Sequence, residues 1–432
     1  MTFSRRLARL EATSAAPVAA APAQPEPPPA PPSPARAKLN ELRDQLQALL
    51  TRNDGAAGKA LRGTAPPAVS QRLRQRQLQQ LPFVRREQRG GSLWQRIERL
   101  TGAHRIGQVR LDQLERAQPA VLAELALDQR VALSTPETWL FLDTETTGLA
   151  GAGTLAFLVG MASWDPEQGA LLEQLLLFEP SHERALLERV QERFQAASLI
   201  VSFNGKSFDQ PLLDGRMLLH RLPRLPQRPH LDLLHVARRL HRDRLGRCNL
   251  KRLESQVLGF ERGPDIDGAQ VAAVYAHFLR SADTSGIQAV VAHNLWDVQS
   301  MLGLVGLYGQ RAPALHAEDL AGLARTLRRA GATLEAERAA QAACERGGGV
   351  DALRVRAELA KARGDALAAI RDLEQLCAQV DDPAGRLELA KLYEHRLRCP
   401  ERALEWLARG TTESDEADAR RRARLARKLQ LC

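Results

Sequence analysis

Short apolar runs crowd the middle of the chain and long polar tracts flank it. Between about 132 and 310, apolar runs bounded by turn residues predict four strands: 138–143, TLAFLVGMAS (154–163), LLEQLLLF (171–178) and SLIVSF (198–203). Gly- and Pro-containing joins between the first three predict an antiparallel three-strand meander. Apolar positions at helical spacing predict helices over 182–194, 207–221, 231–242, 249–258, 267–280 and 287–308. Strands come first and helices later, with a return strand in the sheet. That order suits an α/β domain, a central mixed sheet flanked by helices, over 135–310.

The flanks read differently. Residues 1–37 are rich in Ala and Pro (PAQPEPPPAPPSPA) and cannot bury enough apolar surface to fold. Residues 1–70 are therefore expected to be mostly a disordered tail, with one short amphipathic helix at 38–51. Residues 71–134 form a basic lead-in. Its Arg72, Arg74, Arg76, Arg85, Arg86, Arg89, Arg96 and Arg99 are interleaved with Phe83 and Trp94. Either this is a surface for phosphate contact and base stacking, or the two aromatics dock the arm on the next domain.

Residues 315–432 are nearly all helix formers. Gly331 and Gly364 lie one period apart, as do Cys344 and Cys377, and Ala336, Ala369 and Ala403 keep step. A period of roughly 34 residues with small residues at helix crossings predicts tetratricopeptide-like helix pairs; a plain helical bundle is the alternative. Such a stack offers a groove to a protein partner and adds no chemistry.

Charge sharpens the picture. The net charge is +10, and residues 1–100 carry the whole excess, with 17 Lys+Arg against 7 Asp+Glu. In the rest the signs balance, yet residues 201–250 hold 10 basic against 4 acidic groups. A basic arm and a basic patch fit a polyanion such as nucleic acid, or else form a solvated Arg-rich surface. No apolar run is long enough to span a membrane, and MTFSRRLARLEATSAAP has no apolar segment of the secretory kind. Cysteines at 248, 344, 377, 399 and 432 make no CxxC pair and read as reduced thiols of a cytoplasmic protein.

The chemistry begins at Leu140–Leu149, LFLDTETTGL. Strand residues two apart face the same way, so Asp143 and Glu145 point together. Adjacent carboxylates repel and lose hydration when buried, so a pair at a strand end calls for a cation. Hard divalent ions take such oxygen ligands. Two further acids join the pair. Asp209, in VSFNGKSFDQPLL, falls in the first turn of a helix, where the dipole favours it. Asp297, in VVAHNLWDVQSML, shares a helix face with His293 four residues earlier. Four acids of this kind suit two Mg2+ or Mn2+ ions and phosphodiester cleavage, with His293 placed as general base.

DTETTG, FNGKSFD and HNLWD, in that order, resemble the three exonuclease motifs of the DEDD group within the RNase H-like superfamily. The second motif looks most like the proofreading domain of B-family DNA polymerases. The layout, with LAGAGTLAFLVG after the first motif, is similar to the YprB-like group. The resemblance covers about 135–310, with residues 83–134 as a lead-in. It implies a two-metal 3′–5′ exonuclease in which Asp143, Glu145, Asp209 and Asp297 are the metal carboxylates and His293 the base. One feature departs from the pattern. Three residues separate His293 from Asp297, the spacing of Tyr-type members, whereas His-type members have four. His293 then serves as base or only orients the water.

Around these residues the readings stay paired. Asn204 and Lys206 sit where a backbone phosphate would pass, and Asn204 suits a turn that caps the next helix equally well. Asp232 caps its helix or stands behind the site. Arg238, Arg239, Arg242, Arg244, Arg247, Lys251 and Arg252 neutralise phosphates or form a solvated helix face. Trp139 and Trp164 read as core, and Trp296 as packing or a base-stacking group. Gly148, Gly151 and Gly153 do not make a nucleotide fingerprint. The alternative functions are a non-catalytic nucleic-acid-binding module with a protein-interaction tail, and a scaffold whose working part is the repeat array.

Overall fold

The computed structural model describes residues 79–88, 90–148, 153–310 and 315–430. The expected tail, the helix at 38–51, Arg72, Arg74, Arg76, Arg89, Gly151 and Cys432 lie outside the described residues. The main sheet holds β1 (Val84–Gln88), β2 (Gly91–Leu100), β5 (Trp139–Thr146), β6 (Ala156–Asp165), β7 (Gly169–Leu176), β8 (Leu199–Ser202) and β9 (His230–Asp232). A two-stranded side sheet is made by β3 (Arg105–Ile106) and β4 (Val109–Arg110). The order in the main sheet is β1-β2-β7-β6-β5-β8-β9. Strands from β1 to β5 pair antiparallel, and β5, β8 and β9 run parallel.

The expected meander is β5-β6-β7, with each boundary within a few residues of the sequence reading. Two parts of the main sheet, three strands in all, were not expected as such. Residues 84–100, read as part of a basic arm, form the hairpin β1–β2, and β2 pairs with β7 from Trp94↔Leu176 to Leu100↔Ala170. Its outward Arg and Glu side chains carry the charge, while Leu93 and Phe83 are buried and Trp94 meets Phe178 at 4.4 Å between ring centres. The docking role of the two aromatics therefore holds. The second surprise is β9, three buried residues at the start of what the spacing reads as one helix from 231.

Helices cover both faces. They are α1 (Pro119–Ala126), α2 (Glu183–Ala196), α3 (Asp209–Leu219), α4 (Leu233–Leu245), α5 (Leu250–Leu253), α6 (Gly268–Ser281) and α7 (Ser285–Tyr308). Side chains alternate along β5. Trp139 and Phe141 enter one core with α4 and α7, and Leu140 and Leu142 enter another with α2, α3 and α6. Trp139 and Trp164 are core residues, as their sequence context predicts.

The C-terminal helices are α8 (Ala317–Ala330), α9 (Thr333–Glu345), α10 (Gly349–Ala362), α11 (Ala366–Gln379), α12 (Pro383–His395), α13 (Pro400–Ala408) and α14 (Asp415–Leu429). The sequence period lands on equivalent places. Gly331 and Gly364 turn the chain between consecutive helices with φ of 85° and 87°, a conformation that costs glycine least. Ala336, Ala369 and Ala403 are each fully buried at the fourth position of α9, α11 and α13. The first core continues without a break from the sheet into α8, α9 and α10. At that junction Asp319 is buried and receives Arg244 at 2.6 Å and His241 at 3.1 Å, while a Cβ on Gly322 would stand 2.4 Å from the Leu240 carbonyl oxygen. Among the described residues no helix is long and apolar enough to cross a membrane.

Candidate metal centre

The site forms at the C-terminal end of β5. Asp143 and Glu145 project from one face, as the alternation requires, and a register irregularity between Glu145 and Thr146 ends the regular ladder. Asp209 opens α3 and is itself buried. The hydroxyl of Thr144, between the two strand carboxylates, donates to Asp209 Oδ1. Asp297 and His293 come down from α7. His293 Nε2 lies 3.5 Å from Asp297 Oδ2 and 4.0 Å from Glu145 Oε1. Ligand atoms of Glu145, His293 and Asp297 all fall within 4.8 Å of one another.

Asp143 and Glu145 feel the charges of Asp209 and Asp297. The Asp143 carboxyl is pushed well above its ordinary range by burial and then by the charges of Asp297, Glu145 and Asp209. Glu145 is raised to about 8 by burial, with Asp297 and Asp209 adding to it. Burial lifts Asp209 to about 6 against the hydrogen bond from Thr144. Asp297 is raised by burial, opposed by the Arg262 guanidinium. Such a cluster is costly unless cations offset it. The one guanidinium bonded to any of the four is Arg262, on Asp297, among the described residues. The donor set, oxygen-rich with one imidazole, fits hard divalent ions.

Three neighbours escaped the sequence reading. Asn294, fully buried, donates to Asp143 Oδ2 at 2.8 Å and accepts from Gln174 at 2.9 Å. It reaches the strand because Gly160, paired across from Asp143, has no side chain: a Cβ there would stand 2.3 Å from Asn294 Oδ1. The signal was a polar residue on the apolar side of α7, flanked by buried Val291 and Val298. Arg262 bonds both oxygens of buried Glu254 and reaches Asp265 and Asp297. Asp265 Oδ1 sits 2.7 Å from His293 Nδ1. Burial works to raise Asp265, but bonds from Lys251 and His293 bring it down to about 2. It is therefore a carboxylate that can only accept, so His293 carries its proton on Nδ1 and turns Nε2 to the acids.

The second motif is held by its own scaffold. Asn204 is exposed with φ 70°, and its side chain caps nothing. Its backbone N–H and that of Lys206 donate to Asp232 at 2.8 and 3.3 Å, and Asp232 also caps α4 through Leu234 N. Both readings of Asp232 thus hold together. A Cβ on Gly205 would lie 2.8 Å from Asp209 Oδ2. Beneath it, Ser202 joins His230, whose imidazole is pushed down to about 4 by burial and stays neutral. Lys206 is exposed at the rim. Trp296 stacks under Arg262 at 5.9 Å and packs near Gly263, which favours its packing role.

Residues 140–308 match the family model of the RNase H superfamily, a span running from β5 to the end of α7. Over 167 residues the chain is 39% identical to the protein YprB of Bacillus subtilis, covering 38% of this chain and 40% of that one. The chain thus spans less than half the length of that relative. Among solved structures, the family B DNA polymerase of Pyrobaculum calidifontis overlaps 52% of this chain and 29% of its own, at 16% identity and a TM-score of 0.33.

Proposed function

We propose that this protein is a metal-dependent nuclease that hydrolyses phosphodiester bonds, acting as a 3′–5′ exonuclease on single-stranded ends of DNA or RNA. The observation that carries the reading is the acidic end of β5, where ligand atoms of Glu145, His293 and Asp297 lie within 4.8 Å of one another and the charges of Asp209 and Asp297 raise Asp143 and Glu145. The likeness of DTETTG, FNGKSFD and HNLWD to DEDD-group motifs, and the RNase H superfamily match, support it.

Asp143, Glu145, Asp209 and Asp297 would hold two Mg2+ or Mn2+ ions. When bound, such ions lower the pKa of a water and stabilise the leaving oxygen. Asp265 fixes the His293 tautomer, so Nε2 is free to accept a proton from water or to orient it. Asn294 holds the Asp143 carboxylate toward the cluster. Asn204 and Lys206, exposed at the mouth, suit contact with substrate phosphates. The tetratricopeptide-like helices α8–α14 would recruit a protein partner, and the protein would work in the cytoplasm.

A second reading has its own observation. Arg262 already supplies a cation to Asp297, which suits a binding module that keeps the fold without turnover. The test follows a 5′-labelled oligonucleotide, DNA and RNA side by side, with Mg2+, Mn2+ or EDTA. Stepwise shortening with metal, abolished by EDTA and in Asp143→Asn, supports the nuclease. Tight binding without turnover supports the module.

A further inference from the structure

A second charged feature adjoins the acidic centre. Helix α4 carries Arg238 and Arg242 one turn apart on its exposed side. The chain then turns at Gly246, φ 69°, and presents Arg247, Lys251 and Arg252 on the loop and on α5, which Asn249 caps. The arginines of this stretch divide into two sets. Arg239 donates to the Leu125 carbonyl at 2.9 Å and Arg244 is bound to Asp319, so these two serve the fold. The guanidinium groups of Arg238, Arg242, Arg247 and Arg252 bond to no group among the described residues. The exposed acid between them, Asp243, is taken by Arg325.

The four follow one another along the exposed side of the elbow, Arg238 and Arg242 on α4, Arg247 on the loop and Arg252 on α5. The Cys248 thiol lies beneath the elbow between α4 and α5, and burial raises it while Arg238, Arg242 and Arg252 all pull it down. Three cations from two helices thus act on one point. The elbow also abuts the candidate centre: Lys251 Nζ is 2.8 Å from Asp265 Oδ2, and the other oxygen of Asp265 holds His293.

We infer that the elbow of α4 and α5 is a track for a nucleic-acid backbone leading to the acidic centre, with Arg238, Arg242, Arg247 and Arg252 each neutralising a phosphate away from the cleaved bond. The inference rests on the nuclease reading for where the strand ends, though not for whether it binds. Contacts of this kind release counter-ions and carry no sequence preference.

The test uses the full chain carrying Asp143→Asn and a long labelled single strand in EDTA, with the dissociation constant measured over a salt series. Arg242→Gln/Arg252→Gln is compared with Arg396→Gln/Arg427→Gln, a control pair exposed just after α12 and on α14 with the same loss of charge. The slope of log Kd against log salt should fall by roughly 1.4 in the first pair, about 0.7 per lost single-strand contact, and stay unchanged in the control. Equal slopes in the two pairs, or no binding by the parent chain, overturn the track. Cleavage by the chain with Asp143 intact is scored separately on a dinucleotide. A reduced slope without any metal-dependent cleavage keeps the track and removes the nuclease. Cleavage with equal slopes keeps the nuclease and removes the track.

Discussion

Asp265 Oδ1 meets His293 Nδ1 at 2.7 Å across 28 residues of chain. The contact joins a loop before α6 to the third motif on α7. It fixes which nitrogen of His293 faces Glu145 and Asp297. Partners of this kind, one bond behind a ligand or base, typically matter 10- to 100-fold. Asp265→Asn should therefore lower single-turnover cleavage by about 10- to 100-fold while leaving oligonucleotide affinity unchanged. Asp265→Glu should recover part of the rate. Equal rates in all three proteins would mean that His293 needs no such orientation.

Gly160 and Asn294 make a second prediction. A methyl group at 160 collides with a buried amide that cannot swing into solvent. Gly160→Ala should lower stability by about 1–3 kcal/mol and reduce cleavage, because Asn294 leaves Asp143. Gly160→Ala/Asn294→Ala should regain much of the stability but not the activity. Thermal unfolding and initial rates on the three variants decide it.

Arg262 and Glu254 form the buried pair behind Asp297. Removing one partner of such a pair leaves an uncompensated charge, at about 3–5 kcal/mol. Arg262→Gln should cost that much in chemical denaturation, and Arg262→Gln/Glu254→Gln should cost less than Arg262→Gln alone. A double variant as unstable as the sum of the two singles would mean that the pair is not coupled.

The acidic cluster gives a pH dependence with a definite sign. Glu145 is held near 8 against an ordinary 4.5, and Asp209 near 6 against 3.8. The folded chain thus keeps protons that the unfolded chain has released. Stability from these groups is full below the ordinary values and is lost as pH rises through the folded ones. In chelator, the melting temperature should fall from about pH 5 to about pH 8. Added Mn2+ should raise it, and more at the upper end, since ligands bind metal deprotonated. A melting temperature that climbs over this interval in chelator would contradict the mutual burial of the four acids.

Much of this was legible in the sequence for physical reasons. The alternation along β5 placed Asp143 and Glu145 on one face, and helical spacing put His293 and Asp297 on another. Those patterns are local, and local geometry enforces them. What was missed depends on distant contacts. Asn294 points a third of a turn away from His293, and only the empty position at Gly160 lets it reach the site. Glu254 lies in the helix expected over 249–258, and Arg262 and Asp265 lie in the Gly- and Pro-containing stretch after it; their meaning comes from α7 packing on them. Strand β2 hid because its outward Arg and Glu look like a charge cluster, and β9 because three residues run straight into α4.

A crystal soaked in Mn2+ without substrate, mapped by the anomalous signal of manganese, tests the centre most directly. The account predicts density bounded by Asp143, Glu145, Asp209 and Asp297, with His293 still bonded to Asp265. A map with no peak there, and Arg262 alone seated on Asp297, would contradict it.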